Sequence, residues 1–310
     1  MFRIAAIAVV GAILTQQPAK PPAPATPATP PPATDIYEIV FDGTLAGLKG
    51  AKPRPIATER GYENQPSFTP EGKTILFTAN REGKQTDIFE FDRAARKAQQ
   101  LIATPEAEYS ATVTPDGTGF SVIRVEIDGT QRLWRFDRRG ENPRIVLNDI
   151  KPVGYHAWVD ADTLVLFVLG PPATLQLARV PTGKAEVLAR DIGRSLQRIP
   201  GGSSVSFVQR EADGEFSVKA LDAAKGGITT IVRVAPGSSD RDCAWLADGT
   251  LLMSAGTRIL AYRPSTPPGS SEPWTEVFDA VPHKLGPITR MAVAPDGKAL
   301  AIVVGEPPRP

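Results

Sequence analysis

The chain has one cysteine, Cys243, and two histidines, His156 and His283, in 310 residues. A single cysteine excludes an intramolecular disulfide, so the fold must be held by packing and hydrogen bonding. Cys243 stands in Asp242-Cys243-Ala244-Trp245, which reads as strand. With no base near it in sequence, it is expected to be a small buried apolar residue rather than a nucleophile. The histidines belong to no His-x-x-x-His or His/Cys array, so neither a metal site nor a cofactor is expected. His156 is expected to be packed or at a rim, and His283, which follows Pro282, to be exposed. No Gly-x-Ser-x-Gly elbow, phosphate-binding glycine loop or catalytic carboxylate pair can be picked out. Charge is also nearly balanced, with 35 basic and 34 acidic residues and a net charge of +1. The signs alternate along the chain without a basic stripe, which argues against nucleic acid as partner.

Long apolar runs are confined to one place. After Met1-Phe2-Arg3, residues Ile4 to Leu14 form an uninterrupted apolar stretch. That length suits the core of a signal peptide and is too short to span a bilayer comfortably. Residues 1–17 are therefore expected to direct export to the periplasm or beyond. No other membrane span is expected, and retention of the segment as an uncleaved anchor stays open. Residues 18–34 are mostly Pro, Ala and Thr, an extended, solvated spacer.

The rest is organised by a repeat. Pro66-Ser67-Phe68-Thr69-Pro70-Glu71-Gly72-Lys73, Ala111-Thr112-Val113-Thr114-Pro115-Asp116-Gly117-Thr118 and Met291-Ala292-Val293-Ala294-Pro295-Asp296-Gly297-Lys298 superpose directly. Each is a short strand followed by Pro-Asp/Glu-Gly. Proline presets φ for the turn, and glycine takes the left-handed position that other residues adopt at a cost. The turn acids are explained by the turn, not by a calcium site. Weaker copies occur around Asp162, Gly202 and Gly249, so turn positions fall at 72, 117, 162, 202, 249 and 297. Spacing of this order is that of a four-stranded propeller blade. Third strands are read at sites such as Asp87–Phe91 and Arg132–Phe136, and fourth strands at Gln100–Ile102 and Arg144–Val146. No segment after the leader shows a sustained helical period.

The sixth copy ends after two strands, whereas Asp35–Phe41 and Pro55–Thr58 precede the first hairpin. These N-terminal strands are expected to complete the last blade by pairing beside Leu300–Val304. The result is an all-β, six-bladed propeller over residues 35–304, with a tail at 305–310. A five- or seven-bladed count is the alternative, should one weak copy be misread.

The Pro-Asp-Gly-Lys hairpin followed by an apolar strand and Asp-Ile-Phe-x-Phe-Asp resembles the WD-type repeat of the TolB-like β-propeller family. The resemblance implies an envelope propeller that binds a protein or peptide without catalysis, here lacking the α/β domain that precedes the TolB propeller. Seven residues before each turn position stand Gln65, Ser110, Tyr155, Ser195, Asp242 and Arg290, and one residue earlier Asn64, Tyr109, Gly154, Arg194, Arg241 and Thr289. In a propeller these offsets converge on one end of the central channel. Tyr109, Tyr155, Arg241, Asp242 and Arg290 are the expected contacts, because aromatic and arginine side chains carry most contact energy. The partner is expected to be an envelope protein or peptide met by a monomer. A small-molecule or glycan sensor, or a propeller enzyme, is the alternative.

Overall fold

The computed structural model describes residues 32–81, 85–264 and 274–306. The proposed signal peptide, most of the spacer and residues 307–310 of the tail lie outside the described residues. Four sheets are four-stranded antiparallel meanders, and a fifth has eight strands. The eight-stranded sheet consists of two further meanders, joined where Thr34 pairs in parallel with Tyr62. One of these takes strands from both ends of the chain. Ile288–Val293 pairs with Ala299–Gly305, which pairs with Thr34–Val40, which pairs with Pro53–Ala57. The register runs from Asp35 opposite Val304 to Val40 opposite Ala299. This is the pairing expected for the N-terminal strands, with each outer boundary one residue beyond 35–304.

Burial explains which strands the sequence announces. The second strand of each meander is largely covered on both sides, and in several it is nearly all apolar: Leu300 to Val304 have no exposed surface, nor do Leu164 to Leu166. Fourth strands are largely exposed, as in Lys184–Arg190. The expected fourth strand at Gln100–Ile102 is shifted to Lys97–Gln100, and that at Arg144–Val146 shrinks to Arg144–Ile145. A half-solvated edge strand carries little apolar signal. Apolar clusters lie between successive meanders. Val165 and Phe167 pack with Phe207 and Val205 of the next meander. Ile36, Ala301 and Val303 pack with Ile75 and Phe77 of the first.

The expectation of no helix after the leader needs correction: Leu45–Gly50 is α-helical. Thr44 caps it, its Oγ1 accepting from Gly47 N at 2.9 Å, and Leu48 is fully buried among Phe41, Phe278 and Ile288. Six residues are too few to display a helical period. Among the described residues no helix is long and apolar enough to cross a membrane.

The N-terminal strand is tied to the first repeat by charge as well as by packing. Glu38, 2% exposed, accepts from Arg93 Nε and Arg96 Nη1, each at 2.6 Å. Breaking a buried pair leaves an uncompensated charge, so Glu38→Ala is expected to cost about 3 kcal/mol. The exposed pair Asp213–Arg233 is the control, and Asp213→Ala is expected to move the unfolding midpoint far less than Glu38→Ala does. Urea unfolding of the two variants checks this, and equal midpoints would show that the Glu38 clamp contributes nothing special.

Candidate functional site

The first strands of the six repeats are Tyr62–Phe68, Ala107–Val113, Val153–Trp158, Ile192–Arg198, Cys243–Trp245 and Ile288–Val293. In five of them the ladder to the second strand breaks near one position. The breaks fall between Asn64 and Ser67, Tyr109 and Thr112, Val153 and Tyr155, Ile192 and Leu196, and Ile288 and Arg290. In the remaining repeat the strand begins only after Asp242. A bulge re-aims a side chain and frees backbone groups from the ladder. Gln65 and Ser110 accordingly take φ of 56° and 55°, a left-handed conformation that costs a non-glycine residue on the order of 1 kcal/mol.

The freed amides are taken up by side chains of the preceding repeat. Gln65 Oε1 accepts from Ser110 N at 2.9 Å, Ser195 Oγ from Cys243 N at 3.2 Å, and Asp242 Oδ2 from Met291 N at 2.7 Å. Arg290 closes the series by donating from Nε to Asn64 Oδ1 at 3.1 Å. It also reaches the third repeat, donating from Nη2 to the Tyr155 hydroxyl at 3.2 Å with its guanidinium 5.0 Å from that ring's centre. Tyr155 is itself seated edge-on against Phe167.

Gln65, Ser110, Tyr155, Ser195, Asp242 and Arg290, one from each repeat, line a single cavity of ≈ 400 Å³. Asp242 is 1% exposed, and burial raises its carboxyl above the usual range, against the pull of Arg290, the Met291 amide and Arg194. Burial would also raise the Tyr155 phenol, but the charges of Arg290 and Arg194 outweigh it and hold the phenol below its ordinary value. Of the expected contacts, Tyr155, Asp242 and Arg290 thus come together. Tyr109 does not line the cavity; it is half-buried and packs beside Ile123 and Leu133. Arg241 points elsewhere, its guanidinium 3.7 Å from the centre of the Phe216 ring. Arg194, named only as a neighbour of the ring, does line the cavity. It is anchored by Asp240 and the Thr289 carbonyl. Tyr62 lies within electrostatic reach of Arg290, Tyr155 and Tyr109. Its position, three residues before Gln65, repeats in no other copy as an aromatic, so periodicity gave no reason to single it out.

The remaining candidates are structural. His156 is buried, with Nε2 2.7 Å from Ser121 Oγ, which also accepts from Trp158 Nε1 at 2.8 Å. Trp245 Nε1 donates to Ser206 Oγ in the same way two repeats on. Cys243 is fully buried, its thiol pushed up to about 12 chiefly by burial, so it is held as a thiol at neutral pH. His283 is not exposed as expected: it is half-buried and stacks on Phe278. The turn acids serve their turns, Asp116, Asp248 and Asp296 each accepting from the amide two residues on. The weak fourth copy differs slightly, since the positive φ falls on Gly201 and not on Gly202. Among the described residues no group of three or more His, Cys, Asp or Glu is placed to hold a metal ion.

No protein-family model matches the chain, and no curated protein matches it in sequence. Solved structures do match. A protein from Agrobacterium tumefaciens described as a TolB aligns at a TM-score of 0.66 and 15% identity, over 89% of this chain and 99% of that one. TolB from Acinetobacter baumannii aligns at 0.56 and 14% identity, over 88% of this chain but 64% of that one. A gluconolactonase from Xanthomonas campestris aligns at 0.61 and 11% identity, over 90% and 98%. The chain has a TolB-like β-propeller fold. At these identities the likeness is one of fold, and a fold that also serves a lactonase does not decide between binding and catalysis.

His156 makes the cavity wall sensitive to acid. Burial lowers its pKa from 6.5 to about 4. The unfolded chain therefore takes up this proton first, and stability is lost as pH falls from 6.5 through 4, by ~3 kcal/mol in all. Glu63 and Glu108 act in the opposite sense, because burial pushes each up to about 7 despite Arg81 and Arg124. The test is therefore the difference between the wild type and His156→Gln in urea unfolding. The wild type should lose ~3 kcal/mol relative to the variant between pH 7 and 4. A pH-independent difference would contradict this environment for His156.

Proposed function

We propose that the chain is an exported, non-enzymatic, six-bladed propeller that binds a protein or peptide in its central channel, at the cavity that runs from the bulges of the inner strands to the hairpin turns at Pro70, Pro115 and Pro295. The observation that carries this reading is the convergence of six side chains, one per repeat, on a single cavity with Tyr155 and Arg290 at its wall. A six-bladed, closed ring is supported by the pairing of Thr34–Val40 with Ala299–Gly305 and by the Ile36–Phe77 cluster, which links that meander to the first. In this reading residues 1–17 are the signal peptide, 18–34 the spacer, 35–304 the propeller and 305–310 a tail, and the protein works as a monomer in the periplasm or outside the cell.

Exposed apolar residues stand at the mouth of the channel where the inner strands begin, opposite the hairpin turns that the cavity reaches at Pro70, Pro115 and Pro295. Ile127 is 83% exposed and Leu169 40%. Ile127 follows Val125, which pairs with Ala107, and Leu169 follows Val168, which pairs with Val153. Both therefore stand in loops beside the starts of inner strands. Large exposed apolar side chains at one mouth of the channel suit a protein interface that extends into the cavity. Tyr155, Arg290 and Arg194 form its centre, Asp242 its buried wall and Tyr109 its support, whereas Arg241 is engaged by Phe216 and takes no part.

Affinity capture from an envelope extract, with the full chain as bait and Tyr155→Ala/Arg290→Ala as control, tests the proposal. A partner held by the wild type and lost by the folded double variant is the expected result. Equal retention by both would place the contact elsewhere on the molecule.

A further inference from the structure

We infer that the group entering the channel is a carboxylate of the bound polypeptide, received by Arg290; this rests on the reading of the cavity as a peptide site. The charges facing the cavity are unequal. Arg194, Arg198 and Arg290 line it, and Asp242 is the one carboxylate among the described lining residues. Asp242 is 1% exposed, one of its oxygens accepts from the Met291 amide, and it lies within electrostatic reach of Arg290 and Arg194. Arg198 is exposed and turned to the Gly202 carbonyl, and Arg194 is paired with Asp240, which leaves Arg290 as the half-buried cation without a direct carboxylate partner among the described ion pairs.

Arg290 is prepared for an anion. A guanidinium has five N–H donors in a fixed fork. The described hydrogen bonds engage two of them, one with Asn64 and one with Tyr155. The Tyr155 ring restrains the group further at 5.0 Å. A restrained guanidinium with unspent donors matches a planar carboxylate through two parallel bonds. Deeper in the cavity wall, Asp242 Oδ1 and His156 Nδ1 lack a hydrogen-bond partner, and both residues are more than nine-tenths buried. Ala157, Leu196 and Met291 give the wall apolar stretches between its polar groups, which suit the methylenes of a glutamate better than a strongly hydrated phosphate.

Three probes test this by NMR titration of the full chain at millimolar concentration: acetyl-Gly-Glu-Gly-amide, acetyl-Gly-Gln-Gly-amide, and acetyl-Gly-Gly-Gly with a free terminal carboxylate. At least one acidic probe is expected to bind ten-fold or more tightly than the glutamine probe and to shift the Tyr155 and Trp158 resonances. Arg290→Gln should abolish that preference, and Arg290→Lys should retain part of it. Tyr155→Phe, which removes only the hydroxyl, should weaken binding several-fold, and the thermal midpoint of each variant establishes that it is folded. Binding at the cavity with neither acidic probe preferred over the glutamine probe overturns the carboxylate while leaving a peptide site. Binding of none of the three at the cavity overturns both readings, and a preference that survives in Arg290→Gln removes Arg290 from the recognition.

Discussion

Each inner strand leaves its ladder near the end where it begins, and the amides released there must find acceptors. A buried backbone N–H without one costs free energy comparable to a lost hydrogen bond. In this chain the acceptor comes from the previous repeat: Gln65 for Ser110, Ser195 for Cys243, Asp242 for Met291. Sheets that touch only through apolar clusters could slide on one another, since such contacts have little direction. A directed bond between successive repeats fixes their relative position. The cavity depends on that position, because its wall takes one side chain from every repeat.

The same constraint divides the ring into two kinds of residue. Gln65, Ser195 and Asp242 are consumed by the joints, and Asp242 is too deeply buried to act as a free charge. Tyr155 and Arg290 are different. They hold each other across the cavity from the third and sixth repeats and keep part of their bonding capacity. A position that bears a joint in one repeat can therefore bear a ligand contact in another. The chemistry inferred for the ligand follows from this division, because Arg290 keeps donors that the joints do not use.

Much of the architecture was legible because it rests on backbone chemistry that repeats. Pro-Asp-Gly turns located the hairpins, doubly covered second strands such as Ala299–Gly305 stood out as apolar runs, and the orphaned strands at the two ends implied their pairing. The fourth strands were placed less well, since a solvated edge has no apolar period. The Leu45–Gly50 helix was missed because six residues cannot show one. At the site, counting back from the turn gave one residue per repeat that lines the cavity. It could not tell Arg194, which enters the cavity, from Arg241, which is drawn onto Phe216. Equivalent sequence positions share a backbone location, but the direction of a long side chain is set by the partner it meets.

Hydrogen exchange at three amides tests the central claim most directly. If side chains of one repeat complete the backbone of the next, the amides of Ser110, Cys243 and Met291 should exchange only through global unfolding. They should be as slow as the core strand amides of Val165 and Ile302, although each lies at a break or a start in its own ladder. Fast exchange at these three, with the core strands still protected, would show that the joints open freely and that the repeats are held by apolar packing alone.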